Sequence, residues 1–376
     1  MARPEQQAVE LMVREGICYA LFAYDAGLAI DLDESERRIT ALTQRATLRH
    51  KHRAPRYFDY RPPPLRVLQE ADTIAVGAFR TAPWVDAVLY DFGAVSVAYQ
   101  IPLEGPFSGL VALSEDLYAN DMLLADSHRR VEHLLDAVSP AVTRPQIADA
   151  VETYAMFEIA SFTTPCTPAQ LYTVYAREIA QILRSERETL SEQEVNDAIA
   201  YRISFGADDV TLIDWDAALI ADRDAEDVRA VLEFANVELL EMRHLDQRLD
   251  DALDESYEAL SRRTRRFAFG GTWRADLRRV GELQVDNAVL FEGVNNALKL
   301  LGDQFLARVY RLVSERFHLA EWDASILRKL QTLDSIYQKM SDQSANWRTG
   351  ILEWIIIALI AAEIAIPFLP RLLGVR

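Results

Sequence analysis

One stretch constrains the fold more than any other. From Gly350 the chain reads GILEWIIIALIAAEIAIPFLPRLLGVR, and Ile351 to Leu369 is almost continuously apolar. About 20 apolar residues are enough for a helix to cross a bilayer. The run predicts a transmembrane helix over 350–370 followed by a short tail over 371–376. Glu353 and Trp354 fall at its start, the level at which aromatic belts meet the membrane surface. Glu363 falls mid-run, where an ionised acid costs roughly 2.5–3.5 kcal/mol. An assembly contact with another helix, from a second copy or another protein, is the expected use of that carboxyl.

Composition narrows the classes for the remainder. Half of the 376 residues are hydrophobic, enough to bury a core, and the formal net charge is −18. Such a balance opposes general affinity for nucleic acid, whose phosphates repel an acidic surface. The two cysteines, Cys18 and Cys166, form neither a disulfide framework nor a metal spacing and fit a reducing compartment. MARPEQQAVELMVREG carries acids at Glu5, Glu10 and Glu15 and no apolar core, so no secretory signal is expected there. The body is expected on the cytoplasmic side of the membrane that holds its anchor.

Charge is arranged in blocks. Arg37 to Arg66 holds nine basic residues against the single acid Asp59. Asp208 to Glu258 holds seventeen acids against four arginines, and Arg262 to Arg279 seven arginines against Asp276. Blocks of this kind pair within a protein or between subunits, or dock a partner. Arg49, Lys51, Arg53 and Arg56, interleaved with Tyr57, Phe58 and Tyr60, are the candidate docking residues, toward RNA, lipid head groups or an acidic protein surface.

Residues 1–224 read as an α+β domain. Gly16–Asp33 has β-type content around a turn at Asp25-Ala26-Gly27. Trp84–Leu103 reads as two strands joined at Asp91-Phe92-Gly93. That tripeptide echoes a kinase magnesium motif but lacks the Gly-rich loop and H-R-D that would accompany one. Helices are expected from Ser35, near 114–138, near 145–162 and over 168–183, with Ser191 and Glu194 opening another as a capping box. Asp208–Asp222 alternates and predicts a strand or hairpin, in which Asp214 and Asp216 would share one face. No nucleophile–base pair, metal cluster or phosphate loop is visible, so neither catalysis, a cofactor nor a metal is expected.

Beyond Asp224 the period changes. Leu232, Ala235, Leu239, Met242, Leu249, Leu253 and Leu260 follow a heptad seam, as do Phe291 to Leu312 and Ile326 to Met340. The third seam continues in phase through Trp347 into Ile351 and Trp354. This predicts long antiparallel coiled-coil helices, a stalk over 225–349, running into the membrane helix.

Three segments carry a family resemblance. LEWIIIALIAAEI (Leu352–Ile364), VLYDFGAVSVAY (Val88–Tyr99) and LEFANVELLEMRHLDQRLD (Leu232–Asp250) resemble, in order and spacing, motifs of the "required for meiotic nuclear division" membrane proteins. The chain departs from them at Ala98-Tyr99 and at Leu245-Asp246. The resemblance implies a membrane-anchored protein with no established enzymatic activity, and with no presequence expected the chain looks like a bacterial relative, anchored in the inner membrane. Mitochondrial members are linked to organelle translation near the inner membrane. The function expected is a membrane-anchored scaffold that acts through protein partners or as a homo-oligomer. The alternative is a membrane-tethered RNA- or ribosome-associated protein.

Overall fold

GICYALFAYD is apolar at nearly every position, not at alternate ones. A strand of that kind must be covered on both faces, and it lies inside a sheet that is. The computed structural model describes residues 10–43, 63–265, 278, 281 and 304–339. It divides into two units, Met1–Leu245 with Leu290–Ala324, and Asp246–Val289 with Ser325–Arg376.

The first unit opens with β1 (Met12–Asp25), β2 (Ala29–Ile30) and α1 (Leu32–Thr43), then β3 (Leu65–Glu70), β4 (Ala75–Val76), β5 (Phe79–Arg80), β6 (Trp84–Leu89) and β7 (Ala94–Pro106). Next come α2 (Gly109–Leu117), α3 (Asp121–Val138), β8 (Val142–Thr143), β9 (Val151–Phe162), α4 (Pro168–Val174), α5 (Ala176–Leu183) and α6 (Glu192–Ala198). After these follow β10 (Arg202–Ile203), β11 (Val210–Ile213), β12 (Ala217–Ala221), α7 (Glu226–Arg265) and α8 (Gln304–Arg316). A last helix, α9, covers 319–339.

Eight strands form one sheet in the order β10-β11-β12-β9-β1-β7-β6-β3. Every neighbouring pair is antiparallel except β12 with β9. On β1, Cys18, Ala20, Phe22 and Tyr24 enter a core with α2, α3 and α5. The alternate residues Tyr19 and Leu21 enter a second core with α7 and α8. Period-2 alternation thus feeds two hydrophobic layers. Gly16 sits where the β1–β9 register shifts. A Cβ there would lie 2.7 Å from the Glu158 carbonyl oxygen, so this bulge needs glycine.

Several local expectations change. The segment near 145–162 is not a helix but β9, a central strand beside β1. Its Ala, Met and Glu content favours helix only weakly, and tertiary packing overrides it. Tyr154 and Met156 face the α7 core, while Phe157 and Ile159 face the other. Its two acids on the α7 side meet arginines of that helix: Glu158 with Arg229 at 2.6 Å and Glu152 with Arg243 at 2.7 Å. The helix after β2 starts at Leu32. Asp31 Oδ1 accepts the Glu34 N–H at 2.9 Å, so Asp31 takes the capping role expected of Ser35. The stretch near 114–138 splits into α2 and α3 at Ala119, whose φ is 55°, with Asn120 capping Leu123. Asp91-Phe92-Gly93 forms the β6–β7 turn. Gly93 has φ 106°, and a Cβ there would strike the Gly27 carbonyl.

The coiled-coil stalk is corrected by α7 itself. A coiled-coil helix buries a narrow stripe, whereas residues 231–242 are buried at every position. Leu232, Ala235 and Leu239 keep their heptad spacing but pack on Leu21, Met156 and Ile220 of the sheet. In the second unit, Lys329 of α9 joins Asp246 at 2.8 Å and Asp250 at 2.7 Å, both near the middle of α7.

The membrane-anchored architecture is corrected as well. Among the described residues no helix is long and apolar enough to cross a membrane. The segment 350–370, with Glu353, Trp354 and Glu363, lies outside the described residues. The tail-anchored membrane location that rested on it has no support among the described residues. The architecture that stands is mixed α+β, built on one large sheet.

Candidate functional site

Among the described residues, a dense polar constellation forms where β11 turns into β12. Asp214, Trp215 and Asp216 are that turn, not a strand, so the two carboxylates do not share a strand face. Asp214 donates its N–H to the Ala217 carbonyl at 2.9 Å. Its own Oδ1 accepts the Trp215 N–H at 2.8 Å, which points the carboxylate inward. The side chain is 1% exposed. A buried carboxylate persists only when cations or hydrogen bonds replace its water.

Two arginines supply that replacement. Arg184, just past α5, donates Nε to Oδ2 at 3.0 Å. Arg316, the last residue of α8, donates Nε to Oδ1 at 2.8 Å, and its Nη2 bonds the same oxygen. Asp197 of α6 closes a ring, accepting from Arg184 at 2.5 Å and from Arg316 at 2.9 Å. Glu194, whose N–H is capped by Ser191, gives its carboxylate to Arg184. The Tyr154 hydroxyl donates to the Asp214 carbonyl at 3.1 Å. The hydrogen bond from Arg316 is the main cause that holds the Asp197 carboxyl below the usual range. Asp216 moves the other way: desolvation first, then the Asp214 charge, raise its carboxyl.

An aromatic rim surrounds the ring. The Arg316 guanidinium lies 4.9 Å from the Tyr201 ring centre and 5.5 Å from that of Trp215, within cation–π range. Trp215 is exposed and stacks on His318 with centroids 5.0 Å apart. His318 has φ 53° in the two-residue turn between α8 and α9. A second aromatic pair, Phe205 with Phe305, has centroids 5.1 Å apart. The arrangement locks charge in place and presents rigid aromatic surface. Among the described residues, no three His, Cys, Asp or Glu side chains are grouped to hold a metal.

Arg49, Lys51, Arg53 and Arg56 lie outside the described residues. From the same basic block, Arg37 and Arg38 both pair with Glu34 at 2.8 Å, and Arg66 reaches Glu233 at 3.3 Å. The ring residues Arg184, Glu194, Asp197 and Arg316 were not candidates from sequence. The one available signal was Asp214 itself, an acid set between two apolar runs in TLIDWDAALIA.

A family model described as "Uncharacterized protein MJ0711, N-terminal domain" matches residues 15–227. This overturns the resemblance to the meiotic nuclear division proteins, two of whose three motifs, Leu232–Asp250 and Leu352–Ile364, fall beyond the matched segment. A Methanocaldococcus jannaschii protein described as "Uncharacterized protein MJ0711" is 23% identical over 189 residues, which cover 50% of this chain and 57% of that protein. The chain therefore spans less than two thirds of that relative's length. No solved structure matches. The matched segment contains Arg184, Glu194, Asp197 and Asp214, while Arg316 lies beyond it.

Proposed function

From the premise that the chain belongs to the MJ0711 N-terminal domain family, whose description states no reaction, we propose that it is an interaction module. It acts through protein partners or self-association, without catalysis. One observation carries the reading: two aromatic pairs at the surface, with Phe205, Trp215 and His318 exposed and Phe305 half-buried, mark the two ends of α8. Phe305 lies in its first turn against Phe205, and His318, two residues past its end, stands against Trp215. Thirteen helical residues separate the pairs by roughly 20 Å, a span suited to a protein partner. Aromatic residues beside arginine are the side chains that most often dominate protein interfaces. The chemistry-bearing groups beneath them support the same reading, since Asp214 is held from both sides by arginine.

A second copy of the chain is the first partner to test. Light scattering across a concentration series, with cross-linked capture analysed by mass spectrometry, compares wild type with Phe205→Ala/Trp215→Ala. Phe205 is 76% exposed and Trp215 37% exposed, so folding stability should change by no more than the aromatic-pair contribution, about 0.5–1.5 kcal/mol per site. Partner recovery or assembly mass should fall. A wild type that stays monomeric and captures the same proteins as the double variant defeats the proposal.

A further inference from the structure

A second buried polar cluster lies on the α7 side of the sheet. Glu238 is 1% exposed, within the stretch of α7 that is buried all round. Its Oε2 accepts a 2.7 Å hydrogen bond from the Tyr310 hydroxyl of α8. Its Oε1 is buried and has no partner among the described residues, and neither has Oδ1 of Asp323 in α9. The negative charge of Asp323 acts on both Glu238 and Tyr310. Two carboxyl groups thus meet a desolvated seam with an unsatisfied oxygen each. Buried like charges in this relation cannot both stay ionised cheaply. A metal is not the remedy this geometry offers, since no group of three such ligands forms among the described residues. A single proton is.

We propose that Glu238 keeps a proton in the folded chain at neutral pH, and that losing it on alkalinisation loosens the α8–α9 elbow from α7. Among the described residues, Asp323 from α9 and Tyr310 from α8 are the titratable groups that act on it. Elsewhere in the same layer, Tyr19 accepts from Arg229, Tyr154 donates to the Asp214 carbonyl, and His244 pairs with Asp25. Burial pushes the Glu238 carboxyl up to about 8. The Tyr310 hydrogen bond opposes this, and the Asp323 charge adds to it. The sign follows from linkage. An acid whose folded value lies above its unfolded value contributes stability that is full below the unfolded value of 4.5 and lost as pH climbs toward 8. Over that window the folded-to-unfolded ratio falls about tenfold per pH unit from this one group.

Equilibrium urea unfolding of the full chain from about pH 5 to pH 9 tests the idea in wild type and Glu238→Gln. The glutamine variant should lose the one-proton slope between about pH 5 and 8 and be the more stable protein at about pH 8. Protection factors in α8, corrected for the intrinsic rise of exchange with pH, should fall above about pH 8 in wild type alone. Isotope-edited infrared spectroscopy of folded wild type reads the proton without any variant: a protonated carboxyl band present near pH 7 should vanish by about pH 9. Identical slopes for the two proteins, or no protonated carboxyl near pH 7, overturns the proposal.

Discussion

Replacing Arg316 with methionine tests whether the Asp214 ring is a structural lock. Methionine keeps an unbranched stem for packing against Tyr201 and Trp215 but removes the guanidinium. Asp214, 1% exposed, would keep Arg184 at 3.0 Å and lose its bidentate partner. Breaking a buried pair from one side costs about 3–5 kcal/mol, because the remaining charge stays desolvated. At about 2–4 °C per kcal/mol for a domain of this size, the melting midpoint should fall by about 6–20 °C. Asp197, with 52% of its side chain exposed, supplies the contrast, and Asp197→Asn should cost about 0–1 kcal/mol. Adding Asp214→Asn to Arg316→Met should recover part of the loss, since the stranded charge is then gone. Urea denaturation of the four proteins measures all of these terms. A loss under about 1 kcal/mol for Arg316→Met, or no relief from the second substitution, refutes the reasoning.

Three further outcomes follow from the geometry. Gly93→Ala should cost clearly more than Gly105→Ala: both have positive φ, but a Cβ at Gly93 strikes the Gly27 carbonyl while one at Gly105 meets nothing within 4 Å. The backbone term alone is about 1–2 kcal/mol, and thermal melts of the pair would expose any failure of that ranking. Ser96 donates to the buried Glu233 carboxylate at 2.5 Å, so Ser96→Ala should lower unfolding free energy by about 1.5–3 kcal/mol; an unchanged urea midpoint would count against it. NMR titration should place the Asp197 midpoint below the ordinary aspartate range and that of Asp216 above it. Asp197 pairing is then present above its unfolded value and lost as pH falls through its folded one, and Arg316→Met should move the Asp197 midpoint back up.

Local signals in the chain were strong where short-range chemistry decides. The Asp91-Phe92-Gly93 turn, the Ser191 cap and the Asp208–Asp222 hairpin each need only neighbouring residues, and each is present. The unbroken apolar run in β1 already required two covering layers. Where one sequence pattern serves two structures, the chain alone misled. The spacing of Leu232, Ala235 and Leu239 suits a coiled-coil partner or a sheet face equally, and only the position of α7 over β1, β9 and β12 selects the sheet. VETYAMFEIASF mixes helix-favouring Ala, Met and Glu with β-branched and aromatic residues, and pairing with β1 along its whole length makes it a strand. The Asp214 ring lay furthest from view. Arg184, Asp197 and Arg316 stand 30, 17 and 102 residues from Asp214, and no periodicity links such distant charges. Turn and cap hydrogen bonds and the local spacing of apolar residues act over a few residues and are written in the sequence. The meeting of buried charges depends on which helices the sheet brings together, and so only the tertiary structure decides it.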